Sequence, residues 1–236
     1  MPTTKHLTIM FTDIKGFTSK TSSKSRNQVE EMLELHDNLV RPVFKKHGGK
    51  VIKTIGDAFL VTFESPTDAV QCGMEIQKVL EKHNKESEEE NQIEIRVGIN
   101  SGEVHIKEND VFGEAVNIAS RIESIAKPGE IYFTEAVFLS MNKREVPSSE
   151  VGYRHLKGIP SEIKVYKVIR EDQLKKNRKP AYGEKESVAA FLWRKKWWVL
   201  LVLVLLSIFK NAFIVLVILF FIVLGAIEAW KRFRNR

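Results

Sequence analysis

The sequence predicts an α+β fold for residues 1–170, followed by a charged linker and an apolar C-terminal segment. Within residues 1–170, β-rich runs alternate with helical patterns in an order typical of helices layered on a sheet. From residue 193 onward, the composition changes abruptly to long apolar stretches. A chain of 236 residues is long enough for one sizeable domain with an appendage.

The first half of the domain predicts a strand, a helix, a hairpin and a second helix. A β-rich run at 7–11 is followed by a polar loop, and apolar residues then recur at helical spacing over 27–47. Two apolar runs within 50–64 flank a Gly-Asp pair, which indicates a β-hairpin with a tight turn. Ser65 and Pro66 supply the start signals of the next helix, which we expect to run to about residue 83.

The second half predicts further strands around one helix. Alternating apolar residues over 93–101 indicate a strand that ends at Gly102, and a second strand at 104–107 is predicted to return along it. Residues 108–113 are predicted to be a loop. The remaining predicted elements are a helix at 114–125, a strand at 131–133, a short helix from Thr134, and a last strand pair at 151–157 and 163–169. The order β-α-β-β-α-β with additions predicts a ferredoxin-like α+β layer.

The net charge of +7 is unevenly distributed along the chain. Residues 1–170 carry 24 Lys and Arg against 25 Asp and Glu, whereas residues 171–236 carry 13 against 5. Because the basic excess belongs to the C-terminal segment, we expect that segment to lie beside anionic lipid, and we expect no nucleic-acid binding by the domain. The single Cys72 fits a reducing compartment, and the N-terminus has no apolar signal-peptide core.

The apolar C-terminal segment predicts a membrane-inserted helical hairpin. Its second run has 19 residues and approaches the ~20 that a bilayer span needs, whereas its first run is short. A turn near Lys210 and Asn211 would keep both flanking basic clusters in the cytoplasm, which the positive-inside rule favours over a single span. We expect the chain to lie at the cell (inner) membrane, with residues 1–170 cytoplasmic. The predicted boundaries are 171–192 for the linker, about 193–209 and 212–230 for the apolar helices, and 231–236 for a basic tail.

Two carboxylates are predicted to meet at one edge of the sheet. Asp13 closes the first strand and Asp57 lies at the hairpin tip, and the central strands of a ferredoxin-like sheet are neighbours. Such carboxylates repel each other unless a divalent cation lies between them, and magnesium binds through carboxylates together with substrate phosphates. Gly16, Phe17 and Thr18 follow directly, in a turn that could aim backbone N–H groups at phosphate. The pattern is typical of phosphoryl or nucleotidyl transfer.

Three further polar residues stand out. Lys53 lies in an otherwise apolar strand, where a lysine is costly to bury without a partner. Asn117 and Arg121 are four residues apart and therefore share one helix face. That face could be an ordinary solvated one, but its flanking positions are apolar, and a planar guanidinium suits a phosphate that accumulates charge.

Four motifs together resemble the class III adenylyl cyclase catalytic domain over about residues 5–170. They are FTDIKGFT, VIKTIGDAF, DVFGEAVNIASRI and HLKGIPSEIKVYKV, in that order and spacing. The resemblance implies that active sites form at the interface of a head-to-tail dimer. Because one chain carries all the matched positions, we expect a homodimer with two composite sites.

The resemblance also implies a role for each site residue. It implies that two Mg2+ or Mn2+ ions per site bind Asp13, Asp57 and the carbonyl of Ile14. It implies that Lys53 and Asp110 bind adenine, that Asn117 and Arg121 bind the ribose and α-phosphate, and that Lys157 binds the polyphosphate. The metal-binding aspartates would come from one protomer and the other side chains from its partner.

The base-binding pair favours ATP as the substrate. Asp110 can accept from the exocyclic amine of adenine and Lys53 can donate to its ring nitrogen, whereas guanine has the opposite pattern and guanylyl cyclases typically carry Glu and Cys at these positions. The predicted function is adenylate cyclase, a lyase that makes 3′,5′-cyclic AMP and pyrophosphate. The alternatives are a guanylate cyclase and a catalytically silent, membrane-anchored nucleotide-binding module. A diguanylate cyclase is disfavoured, because the hairpin reads IGDAF.

Overall fold

The computed structural model describes residues 3–170 and 212–234. These two parts belong to separate compact units and are described individually. The predicted linker and the first predicted apolar helix lie outside the described residues.

Within residues 3–170, eight strands form one sheet and five α-helices surround it. The strands are β1 (Thr3–Ile14), β2 (Lys50–Ile55), β3 (Ala58–Phe63), β4 (Ile95–Lys107), β5 (Asp110–Phe112), β6 (Ile131–Thr134), β7 (Ser148–Arg154) and β8 (Ile163–Val168). The helices are α1 (Phe17–Thr21), α2 (Arg26–Lys46), α3 (Pro66–Glu86), α4 (Glu114–Ile125) and α5 (Glu135–Ser140), with a 3-10 turn at Glu89–Asn91.

The first six major elements form the predicted ferredoxin-like core. They follow the order β1-α2-β2-β3-α3-β4, and their strands lie side by side as β4-β1-β3-β2. Strands β6, β8 and β7 extend the sheet beyond β4, and β5 pairs with the far end of β4. The predicted α+β class is therefore confirmed, with the additions placed on one side of the core.

Strand β1 lies at the centre of the sheet and buries residues on both faces. Met10 and Ile14 face the main core, where they pack with residues of α2 and α3. Ile9 belongs to a second cluster, formed with Ala115 and Ala119 of α4. Because helices cover both faces of this strand, its apolar residues form a nearly continuous run rather than a strict alternation.

The prediction that Gly102 ends a strand is wrong. Strand β4 continues to Lys107 and stays paired with the first residues of β1. A Cβ on Gly102 would lie 2.8 Å from the Cβ of Ala115, so the glycine permits close packing of α4 rather than a turn. The chain reverses at Glu108 and Asn109, whose φ angles of 52° and 64° are typical of a type I′ hairpin turn, and β5 is the returning strand.

The C-terminal unit contains helix α6, Ala212–Arg234. Its described side chains, residues 216–230, are exposed and almost entirely apolar. Among residues 3–170 and 212–234, no helix has both the length and the apolar character needed to cross a membrane.

Candidate active site

Asp13 and Asp57 lie at the same edge of the sheet. Asp13 is the penultimate residue of β1, and Asp57 follows Gly56 in the tight turn between β2 and β3. Gly56 adopts a φ of 63°, which the turn requires and which glycine adopts without strain. The backbone N–H of Ile14 donates a hydrogen bond to Oδ2 of Asp57 at 2.9 Å, which ties the hairpin tip to the end of β1.

The two carboxylates form an electrostatically strained pair. Burial raises the pKa of Asp57, and the neighbouring charge of Asp13 raises it further, although backbone N–H groups partly oppose this shift. A divalent cation would relieve this repulsion, and two carboxylates with a nearby backbone carbonyl are oxygen ligands suited to Mg2+ or Mn2+. Within residues 3–170 and 212–234, no cluster of three or more His, Cys, Asp or Glu could hold a metal by itself.

Arg96 and Glu123 complete a charged cluster that the sequence did not reveal. Nη2 of Arg96, on β4, donates to Oδ2 of Asp13, its partner in the β1–β4 register. Nε of Arg96 lies 3.0 Å from Oε1 of Glu123, near the end of α4. Burial raises the pKa of Glu123 to about 7, even though the positive charge of Arg96 opposes the shift. The sequence does contain a signal for these two residues: Arg96 interrupts the apolar pattern of β4, and Glu123 interrupts the apolar pattern of α4.

Lys53 and Asp110 converge on each other. Nζ of Lys53 donates to Oδ2 of Asp110 at 2.5 Å, and this contact lowers the pKa of Asp110. The pairing of β2 with β3 shifts register between Val51 and Lys53, and such bulges commonly redirect a side chain beside a functional site. The pair is partly exposed beside the exposed ring of Phe112. The lysine that sequence analysis found unusual therefore has a polar partner.

Asn117 and Arg121 lie on the exposed face of α4. The opposite face buries Ala115, Ala119 and Ile122 against the sheet. Within residues 3–170, no hydrogen bond or ion pair joins the side chain of Asn117 or Arg121 to Asp13 or Asp57. Both side chains are exposed to solvent.

The remaining predicted site residues lie at the start of α1 and in a loop. Gly16 adopts a left-handed φ of 67° and begins α1, with Phe17 packed against the core and Thr18 exposed. Lys157 is exposed in the loop between β7 and β8. Their roles stay predictions.

Residues 1–170 match the family model of the adenylate and guanylate cyclase catalytic domain. The chain is 39% identical over 166 residues to the serine/threonine-protein kinase pkn2 of Myxococcus xanthus, a match that covers 70% of this chain and 20% of that protein. It is 27% identical over 159 residues to the putative adenylate cyclase 3 of Rhizobium meliloti, covering 67% of this chain and 27% of that protein. The chain therefore spans less than a third of either curated relative.

Solved cyclase structures share the fold. The adenylate/guanylate cyclase/hydrolase from Silicibacter pomeroyi matches with a TM-score of 0.65 and 27% identity, over 72% of this chain and 100% of that one. The adenylyl cyclase CyaB from P. aeruginosa matches with a TM-score of 0.65 and 25% identity, over 72% of this chain and 96% of that one. With its sheet, its paired aspartates and a family match that covers residues 1–170, this chain belongs to the adenylate and guanylate cyclase catalytic domain family.

Proposed function

We propose that the protein is an adenylate cyclase that converts ATP to 3′,5′-cyclic AMP and pyrophosphate by two-metal catalysis at a homodimer interface. The observation that carries this proposal is the hydrogen-bonded Lys53–Asp110 pair, which has the donor and acceptor that adenine requires. Members of the family generally depend on divalent metals and commonly act as dimers. A guanylate cyclase is the second candidate, because the family includes such enzymes.

The metal half of each site consists of Asp13, Asp57 and the carbonyl of Ile14. Bound Mg2+ or Mn2+ would lower the pKa of the ribose 3′-hydroxyl and offset phosphate charge. The carboxylates lie where the hairpin tip is hydrogen-bonded to the end of β1, and this bond helps to hold them in position for the α-phosphate. Gly16 and the first two residues of α1, Phe17 and Thr18, follow, and their backbone N–H groups support the adjacent phosphates.

The nucleotide half of each site comes from the partner protomer. Arg121 offsets the charge that develops on the α-phosphoryl oxygens, Asn117 orients the ribose, and Lys157 holds the departing pyrophosphate. The hydroxyl attacks phosphorus directly, so the oxygen–phosphorus bond forms as the bond to pyrophosphate breaks, and no covalent enzyme intermediate is needed. The exposed positions of Asn117 and Arg121 on α4 suit residues that contact a second protomer's substrate.

Base selection follows from the donor and acceptor order of Lys53 and Asp110. Oδ1 of Asp110 accepts from the backbone N–H of Val111, so the carboxylate is fixed in orientation. The adenine edge can accept from Lys53 and donate to Asp110. Guanine would place a donor against Lys53 and an acceptor against Asp110, so polar groups would be left unpaired at both positions.

A turnover assay with ATP and GTP tests this proposal. We expect cyclic AMP with Mg2+ or Mn2+ and a kcat/KM for ATP at least about a hundredfold above that for GTP, since unpaired polar groups discriminate strongly. The double variant Lys53→Glu/Asp110→Cys should reverse the preference. Lys50→Glu is the matched control, because it changes the same charge on the same strand and should leave the ratio unaltered. Equal turnover of ATP and GTP by the wild-type chain would contradict the base assignment, and no turnover of either would favour a silent nucleotide-binding module.

We also propose that the C-terminal segment attaches the protein to the inner membrane, with the cyclase domain in the cytoplasm. The described side chains of α6 are almost entirely apolar and exposed. Large exposed apolar surfaces mark sites of interaction with a membrane or another protein. Basic residues flank the apolar runs, as expected beside anionic lipid.

Membrane attachment is tested by removing the segment. The full chain should sediment with membranes and resist high salt, whereas a chain ending at Arg170 should stay in the supernatant. A variant that replaces only the terminal Lys and Arg residues with Gln is the control for purely electrostatic attachment. Sedimentation of the truncated chain with membranes would overturn the proposed role of the segment.

A further inference from the structure

We infer that Glu123 is a positioning residue that sets, through Arg96, the affinity of the Asp13–Asp57 pair for its metal. This inference rests on the proposed function, because it concerns the same metal site. Among the described residues, no hydrogen bond or ion pair joins Glu123 to the two aspartates, although their negative charges help to raise the pKa of Glu123; its ion-pair partner is Arg96.

Arg96 is shared between two acidic partners on different elements. Its Nη2 donates to Asp13, whereas its Nε faces Glu123 at 3.0 Å and its Nη1 donates weakly to the backbone carbonyl of Ser124 at 3.5 Å. The guanidinium therefore lies against a carboxylate oxygen that a metal would also use. Because Glu123 attracts Arg96 electrostatically, it weakens the bond from Arg96 to Asp13 and leaves that carboxylate oxygen more available to a metal ion.

The contact between Arg96 and Glu123 is an ion pair without hydrogen-bond alignment. Among the described residues, Nε of Arg96 and Oε1 of Glu123 are buried and have no hydrogen-bond partner, although they lie 3.0 Å apart. Buried polar atoms in this state are costly, and a small shift of the guanidinium toward Glu123 would satisfy both. The geometry thus allows Arg96 to keep an ionic partner, Glu123, if it moves away from Asp13.

Gly98 allows the backbone of α4 to lie directly against β4 at Glu123. A Cβ on Gly98 would lie 2.1 Å from the backbone nitrogen and 2.4 Å from the Cα of Glu123, so α4 rests directly on β4 at this point. The backbone of Glu123 is therefore held close to β4, beside the strand that carries Arg96. The ionised Glu123 therefore competes with Asp13 for one guanidinium.

The inference is tested by binding of Mn2+ alone, followed by electron paramagnetic resonance of free Mn2+, on the full chain at pH 8. Glu123→Gln should weaken binding about tenfold, because Arg96 then commits to Asp13. Arg96→Gln should tighten binding, because Asp13 loses its competitor. Removing Glu123 in the Arg96→Gln background should change the affinity less than in the wild-type background, since Glu123 acts mainly through Arg96.

Glu130→Gln is the matched control, because Glu130 makes a comparably buried ion pair with Lys167 away from the aspartates. It should leave Mn2+ affinity unaltered. The double variant Arg96→Gln/Glu123→Gln removes both charges of this ion pair together, so it keeps the test valid if a single variant does not fold; it should bind Mn2+ more tightly than the wild type. Weaker binding by both single variants, or an equal effect of Glu123→Gln with and without Arg96, would overturn the inference.

These outcomes are separate from the proposed activity. If the wild-type chain makes no cyclic AMP but its Mn2+ affinity shifts as described, the inference stands and the proposed reaction fails. If the wild-type chain binds no Mn2+, the inference and the proposed metal site fail together.

Discussion

Asp57→Asn is expected to lower cyclase turnover by about a thousandfold or more, with the fold intact. The substitution removes one of the two carboxylates at the proposed metal site. It keeps the side-chain oxygen that accepts from the N–H of Ile14, so the hairpin tip stays attached to β1. It also removes a carboxylate whose pKa is raised by burial and by Asp13, so the free energy of unfolding should be unchanged or higher.

Two measurements check this result. Cyclic AMP formation at saturating ATP and Mn2+ gives the loss of turnover, and thermal unfolding gives stability. Asp68→Asn is the control, since Asp68 lies in the first turn of α3, which begins beyond the opposite end of β3. Wild-type turnover in the Asp57→Asn variant would remove Asp57 from the mechanism.

Mixing Asp57→Asn with Arg121→Ala should restore activity that neither variant has alone. If sites are composite, the heterodimer contains one site in which both halves are wild type. Random assortment makes half of the dimers heterodimers, so we expect roughly a quarter of the wild-type rate. Arg121 is exposed on α4, so its truncation should not disturb the fold.

A second mixture serves as the control for complementation. Asp57→Asn with Asp13→Asn damages the metal half of both sites in the heterodimer, so activity should stay absent. Coexpression with two different affinity tags isolates the heterodimers directly. Inactive heterodimers of Asp57→Asn with Arg121→Ala, purified and folded, would argue against sites shared between protomers.

The core of the fold was predictable because each helix and strand has its own sequence signal and the order of these elements is that of a ferredoxin-like fold. The Gly-Asp turn, the Ser65–Pro66 helix start and the apolar spacing of α2 each identify one element, and their order matches a known layer. The strand end predicted at Gly102 was wrong, because sequence alone does not distinguish a glycine that allows close packing of a helix from a glycine that ends a strand. That distinction depends on Ala115, which is distant in sequence.

The site was predictable only where a residue type was unusual for its element. Lys53 in a strand and Asp57 at a turn attracted attention by themselves, and the structure brings each beside a charged partner. Sequence analysis did not identify Arg96 and Glu123 as site residues. Their contacts with each other and with Asp13 depend on the register of β1 with β4 and on the close approach of α4 at Gly98. Neither is a local property of the sequence.

The pairing of β1 with β4 has a consequence for how the domain folds. Thr3 pairs with Ile106 and Ile14 with Ile95, so the first strand cannot gain its second neighbour until more than a hundred residues have left the ribosome. Such distant pairings slow folding, because a long loop must close before any contact forms. During synthesis, β1 can pair with β3 before β4 has been made. Asp13 is therefore expected to lie beside the β2–β3 hairpin before it meets Arg96, because Arg96 belongs to β4, the last strand of the core.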